Sequence, residues 1–247
     1  MNQIIEQLKN RRSVRVFENR EIPDKVKEEI INAAFEAPTA GAMQLYSILD
    51  ITDEDLKKQL SIACDNQPFI AKAPLVLVFL ADYQRWYDSY TYFDCNPRKP
   101  GEGDILLACA DALIAAQNTV VAAESLGVGS CYIGDILENC ERVRQLLELP
   151  KYVLPIAMVV YGYPVESQKN RKKPARFEKE YIVFENKYRR LTKEEHLKMH
   201  SIRNQKECIW NIDIKEYIKK RCNLKYMSDF ALEMNRSARK YLDEFRS

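Results

Sequence analysis

The sequence predicts a mixed fold of helices and strands, built as one large domain or as a domain with a sizeable appendage. Three observations predict it. A chain of 247 residues with 46% hydrophobic content can bury a substantial core. Apolar runs of strand length at 74–81 and 153–161 are spaced among amphipathic helical patterns. Between them, residues 105–126 are apolar nearly all round and rich in alanine, the pattern of a helix covered on most sides, either at the centre of a domain or in a subunit interface.

The elements follow in order. Residues 2–9 form an amphipathic helix that runs into Arg11-Arg12-Ser13-Val14-Arg15. Pro23 opens a second helix, with Val26, Ile30, Ala33 and Ala34 on one face and Lys25, Lys27, Glu28 and Glu29 largely on the other; it ends before Pro38. Residues 46–52 read as a strand, Asp53 caps a helix through Leu60, and 74–81 reads as a buried strand. After the long helix comes a Gly127-Val-Gly129 turn, then Ser130-Cys-Tyr-Ile-Gly-Asp135, a helix at 141–147 and an apolar strand at 153–161. Beyond Gly162-Tyr163-Pro164 the chain turns polar and basic, with broken amphipathic helices clearest at 213–221 and 228–245. Their scattered apolar residues are too few for an independent core, so the tail is expected to wrap around the main domain or a partner subunit.

Charge and cysteine usage narrow the class. Lys+Arg 38 against Asp+Glu 36 leaves no electrostatic footprint for nucleic acid or an anionic membrane, and favours a small-molecule partner. Seven widely spaced cysteines without a CxxC pair suit neither a disulfide framework nor a structural zinc site. The N-terminus lacks the apolar stretch of a secretory signal. The 105–126 run carries Asp111, Gln117, Asn118 and Glu124, which argues against a membrane span. A reducing, cytoplasmic setting is the expectation.

Four stretches are candidates for chemistry. If the segment after the first helix is extended, Arg11, Ser13 and Arg15 share one face while Val14 and Val16 face the core. Two guanidiniums flanking a hydroxyl suit a phosphate dianion; the same residues also read as a basic helix end that complements the dipole. The small residues of Ala37-Pro-Thr-Ala-Gly-Ala-Met-Gln44 let a backbone approach a flat ligand closely, or simply join a helix to a strand. The glycine-rich exit at 127–134 offers backbone N–H groups to electron-rich ligand atoms. Lys173-Pro-Ala-Arg176 is basic again, and also fits a solvated linker.

Taken together, RRSVR, EAPTAGAMQ, DNQPFIAKAPLVLVFLAD, DALIAAQNTVVAAESLGVGSCYIGDI, LLELPKYVLPIAMVVYGYP and KKPAR resemble the nitroreductase superfamily, most closely its NADPH:FMN oxidoreductases and oxygen-insensitive nitroreductases with a C-terminal extension. The resemblance runs from about residue 1 to 190. It implies an α+β fold with a central, mainly antiparallel sheet surrounded by helices, in an intertwined homodimer that binds one FMN per subunit at the interface. Residues 1–190 would be the FMN-binding domain, and 191–247 a helical extension packed on it or on the partner.

The resemblance also distributes roles. Arg11 and Ser13 take the FMN phosphate with help from Arg12, and Arg15 approaches N1 and O2 of the flavin, where a fixed positive charge stabilises the anionic reduced ring. Thr39 and Ala40 match a Pro-Ser-Ser loop that reaches the other subunit's flavin, with Ala40 lacking the hydroxyl. Gln67 matches a glutamine that hydrogen-bonds FMN. Tyr132, Ile133 and Gly134 match a segment whose backbone N–H groups lie near N5 and O4, and Lys173 and Arg176 resemble a closing phosphate clamp. The implied reaction is ping-pong: NAD(P)H, with NADPH slightly favoured, gives hydride to flavin N5, and an electron-poor acceptor such as a nitroaromatic, a quinone or free flavin is then reduced. The alternatives are a specialised reductive enzyme of the superfamily and a non-catalytic flavin-binding redox sensor.

Other residues stay open at this point. His196 and His200, spaced i, i+4, read as metal ligands or as a solvated helix face. Cys131 reads as a flavin neighbour or as a small buried hydrophobe. Trp86, Tyr87, Tyr90, Tyr92 and Phe93 line a substrate entrance or cover the core. Lys198, Arg203 and Lys206 are candidate partners of an NADPH 2′-phosphate.

Overall fold

Among the described residues, four strands form one antiparallel sheet in the order β1-β2-β4-β3: β1 Tyr46–Asp50, β2 Leu75–Asp82, β3 Gly129–Ile133 and β4 Val153–Gly162. The computed structural model describes residues 2–210 and 212–246. The chain divides into one unit of Met1–Arg171 with Glu233–Ser247 and a second of Lys172–Leu232.

In the first unit, every residue of β2 is buried, because helices cover both faces of the sheet. Successive side chains point to opposite faces. Leu75, Leu77 and Phe79 meet α2 (Asp24–Phe35) and α6 (Glu102–Ser125), through Ile30, Ala34, Ala112, Ala116 and Val120. Val76, Val78 and Leu80 meet α3 (Glu54–Ala63), α4 (Pro68–Ala71) and α7 (Cys140–Leu147), through Leu60, Ile70 and Val143. The β2–β4 register slips between Phe79 and Leu80, beside Pro155. Proline has no N–H to give the ladder, so an irregularity belongs there.

The remaining helices of this unit are α1 (Gln3–Asn10), α5 (Gln84–Tyr92) and α8 (Glu166–Lys169). Asp53 caps α3 by accepting the Leu56 N–H at 2.6 Å, as the sequence predicts, and Asn2 caps α1 by accepting the Ile4 N–H at 2.9 Å. The second unit holds α9 (Lys193–Lys206), started by a Thr192/Glu195 capping box, and α10 (Ile214–Arg221), followed by a π turn at Cys222–Tyr226. The last helix, α11 (Asp229–Asp243), begins in the second unit and continues in the first. There Ser237 Oγ accepts the Cys140 N–H at 2.9 Å, Arg236 bonds both Glu141 and Glu233 at 2.8 Å, and Tyr241 and Phe245 are buried.

Two expectations need correction. Residues 129–133, read only as a glycine-rich exit, form the edge strand β3. Val16 does not face the core: it is 51% exposed, and only Val14 turns inward. Within the single chain helix α6 is covered on one face, so it does not lie at the centre of the domain. Its Leu106, Leu107, Leu113 and Ile114 are exposed, while Ala112, Ala115, Ala116, Val120 and Ala123 are fully buried. By length and composition α6 is apolar enough to cross a membrane despite its polar residues, yet its inner face is packed on the sheet.

Candidate active site

Segment 11–17 lies along the sheet's open edge. Ser13 pairs with Ser130 in a parallel bridge and Phe17 with Pro164 in an antiparallel one, and Val14 N–H donates to the Ser130 carbonyl at 2.9 Å. The segment is therefore extended around Ser13 and Val14, with Val14 turned inward, while the two-residue alternation fails at Val16. Arg11, Ser13 and Arg15 all act on Cys131: burial pushes that thiol up, while the Arg15 charge, a hydrogen bond with Ser13 and the Arg11 charge oppose it. Arg12 turns away. Its Nη1 donates to the carbonyls of Lys169 at 2.5 Å and Arg171 at 2.6 Å, which fixes the end of α8 rather than an outside ligand.

Among the described residues, neither Arg11 nor Arg15 has an ion-pair partner. The Arg15 guanidinium lies 5.9 Å from the Phe69 ring centroid, and its backbone N–H donates to Gln168 Oε1 at 3.3 Å. Gln67 precedes α4 close to Phe69, with its Nε2 donating to the Cys64 carbonyl at 2.9 Å. In β3, Ser130 turns its carbonyl away from β4, so Tyr132, two residues on, presents its backbone N–H and C=O at the same open edge. The Tyr132 phenol donates to Gln117 Oε1 at 3.3 Å, and burial pushes it up to about 12 against the pull of Arg11. Ile133 is buried, and beside Gly134 there is open space where a side chain would stand. Arg11, Ser13, Arg15, Tyr132 and Gly134 thus border one edge of the sheet.

The loop bearing Thr39 and Ala40 is elsewhere on this unit, held by the N-terminal half of α6 and by α5. Thr39 Oγ1 accepts the Gln44 N–H at 3.2 Å, Ala40 N–H donates to Asp111 Oδ1 at 2.9 Å, and Trp86 Nε1 donates to the Met43 carbonyl at 2.7 Å. Trp86 and Tyr87 pack on the core, whereas Tyr92 and Phe93 are exposed.

Lys173 and Arg176 belong to the second unit, where Arg176 Nη1 donates to the Pro174 carbonyl at 3.0 Å. Lys206 pairs with Glu178, and the Arg203 guanidinium lies 4.8 Å from the Phe177 ring centroid. His196 and His200 are both on α9, and His200 meets the Phe177 ring edge-on at 5.4 Å. No group of His, Cys, Asp and Glu suited to a metal occurs among the described residues. Sequence reasoning missed Phe69 and the anchoring role of Asp111. The signal for Asp111 was a carboxylate inside an otherwise apolar helix.

Residues 8–163 match the Nitroreductase family. An NADPH-dependent oxidoreductase of Staphylococcus aureus (strain USA300) is 31% identical over 183 residues, 73% of this chain and 72% of the relative. Among solved structures, B. megaterium NfrA2 superposes with a TM-score of 0.82 at 27% identity, covering 99% of this chain and 98% of that one. The NADPH:FMN oxidoreductase from Vibrio harveyi complexed with NAD+ gives 0.76 at 27% identity, over 93% and 98%. Fold and likeness define an oxidoreductase. The chain belongs to the nitroreductase family.

Proposed function

We propose that the protein is an FMN-dependent NAD(P)H oxidoreductase that works as a homodimer on electron-poor small molecules such as nitroaromatics, quinones or free flavin. The observation that carries the reading is the row of Arg11, Ser13 and Arg15 on one face of an extended segment, with both guanidiniums free of ion pairs among the described residues. Unpaired cations flanking a hydroxyl fit a phosphate dianion, and the open edge beside Tyr132 and Gly134 leaves a flat ring room to approach. The residues present therefore fit FMN.

Bound FMN would supply two-electron hydride chemistry between NAD(P)H and the acceptor. The chain binds, orients and tunes. Arg11 and Ser13 hold the phosphate, Arg15 brings a positive charge toward the ring, and backbone N–H groups at Tyr132–Gly134 meet its polar edge. Arg12 acts from behind by fixing the segment. Thr39 and Ala40 act on the flavin of the partner subunit, and Gln67 borders the ring. Lys173 and Arg176 are assigned to the phosphate by family resemblance. No side-chain acid or nucleophile is required for the first half-reaction.

The exposed apolar face of α6 supports the homodimer, because contiguous apolar surface of this kind marks an interaction site. NADPH is the favoured reductant, in keeping with the name of the Staphylococcus aureus relative. The test is the visible spectrum of the purified protein before and after anaerobic NADPH. Flavin bands that bleach are expected; a protein that stays colourless with added FMN would overturn the proposal.

A further inference from the structure

Asp111 stands in the middle of an apolar helix at 3% exposure, and no cation pairs with it among the described residues. Its carboxylate is used on one loop. Oδ1 accepts the Ala40 N–H at 2.9 Å, and Oδ2 accepts the Leu45 N–H at 3.1 Å. These two donors bracket a turn in which Gly41, Ala42 and Gln44 all have left-handed φ values of 56°, 58° and 50°. Glycine adopts that region freely, whereas alanine and glutamine resist it because Cβ crowds the following carbonyl. A loop with two such residues keeps its shape only if something outside it imposes that shape. Asp111 does so from the helix side. Trp86 Nε1 on the Met43 carbonyl and Arg85 Nη1 on the Gln44 carbonyl, at 2.7 and 3.2 Å, do so from α5.

A buried carboxylate is unfavourable unless each oxygen finds donors, and charge-assisted bonds to backbone N–H groups are among the strongest available. Here one loop N–H group meets each carboxylate oxygen, so the side chain's burial is compensated by ordering residues 40–45. We propose that Asp111 is a positioning residue for the flavin site: it locks the 39–45 loop in the pose that presents Thr39 and Ala40 to the partner subunit's flavin. The inference rests on the FMN reading above. Asp111 touches no cofactor itself and acts wholly through the loop.

The test is Asp111→Asn in the full-length holoenzyme. The substitution is isosteric, keeps one acceptor, and turns an NH2 group on to the other N–H. The expected result is a folded dimer with unchanged helical circular dichroism, an FMN Kd raised roughly tenfold or more, shifted visible bands of the bound flavin and a lower kcat. A merely structural role would lower the melting temperature without moving the spectrum of the flavin that remains bound. A folded D111N protein with wild-type FMN affinity, spectrum and turnover overturns the proposal. Should D111N fail to fold, Asp111→Glu decides, since it keeps the carboxylate but moves both acceptors away from the Ala40 and Leu45 N–H groups: a displaced spectrum and weaker FMN support the proposal, and wild-type values overturn it. Wild-type protein that takes up no FMN overturns the functional reading and this inference together. Wild-type protein that binds FMN no better than either variant overturns this inference alone.

Discussion

Gly129 and Gly162 face each other as register partners at the joined ends of β3 and β4, and the basic segment is seated on both. A Cβ at 129 would stand 2.5 Å from Val14 Cγ2, and one at 162 would stand 2.6 Å from Phe17 Cδ1 and 2.9 Å from Pro74 Cδ. Two adjacent positions without side chains thus form the bed for residues 14 and 17. Gly129→Ala must push Val14 outward, because the β-branched side chain has little freedom at χ1. The expected cost is about 1–3 kcal/mol of stability, together with weaker FMN binding as Arg11, Ser13 and Arg15 lose their alignment. Thermal melting and FMN titration of the variant read the two effects separately.

The three arginines of the segment should separate by experiment. Arg11→Ala removes an unpaired cation from the outward face and is expected to raise the FMN Kd at least tenfold, given about 1.5–3 kcal/mol for a hydrogen bond to a charged group. The loss should shrink as salt screens the remaining charge. Arg12→Ala instead releases the carbonyls of Lys169 and Arg171. Its main expected effect is faster proteolysis near residue 170, with a smaller change in FMN affinity. Equal losses of FMN affinity in both variants would contradict this division.

How far the sequence could be read depended on how many faces of an element are covered. Strands β2 and β4 were visible as unbroken apolar runs because helices shield both sides of the sheet. Strand β3 was not, since Gly129, Ser130 and Cys131 have neither strand propensity nor alternation, and its pairing is imposed by β4 on one side and Ser13 on the other. The extended segment is legible except at Val16, which lies between the Ser13 and Phe17 bridges and is exposed, with its carbonyl accepting the Val165 N–H. In the sequence Asp111 argues only against a membrane span. That it anchors a loop some 66 to 71 residues away in sequence is a tertiary fact which no local pattern carries.

Glu138 gives the fold a pH dependence. It is 5% exposed with Oε1 unpartnered, and burial, reinforced by Asp135, Asp65 and Glu233, pushes its carboxyl up to about 7 from an ordinary 4.5. The folded state therefore keeps a proton that the unfolded chain releases between those values. Stability from this group is complete below that window, is lost as pH rises through it, and levels off above about 7. Glu138→Gln removes the buried charge, so the variant should be more stable than the wild type at pH 8, by about 1–3 kcal/mol, and no more stable at pH 4. Denaturant unfolding at the two pH values checks the sign.

Arg236 joins two helices through opposite partners, Glu141 on α7 and Glu233 on its own α11. Hydrogen bonds from its guanidinium hold both carboxyls down to about 2. This support is present above the ordinary carboxylate range and is lost as pH falls toward 2. The pairs are largely exposed and screened by solvent, so Arg236→Ala should lower global stability only slightly at neutral pH. Its expected signature is faster amide exchange in residues 233–246.

The exposed face of α6 makes the strongest claim on a second subunit. Leu106, Leu107, Leu113 and Ile114 recur at the spacing of one helical stripe, opposite the alanines that pack on the sheet. A helix with only one buried face is expected to be polar on the other, and this one is not. The unpartnered stripe explains why its sequence reads as apolar all round. A charge placed there should leave the monomer fold intact, because residue 107 makes no part of the core, while opposing the burial of that surface against another chain. Leu107→Glu is therefore expected to sediment as a monomer with unchanged helical content. It should also lose most FMN binding, since Thr39 and Ala40 on this reading complete the partner's site. A variant that remains dimeric would place the subunit contact elsewhere, and a monomer that keeps full FMN affinity would confine the site to a single chain.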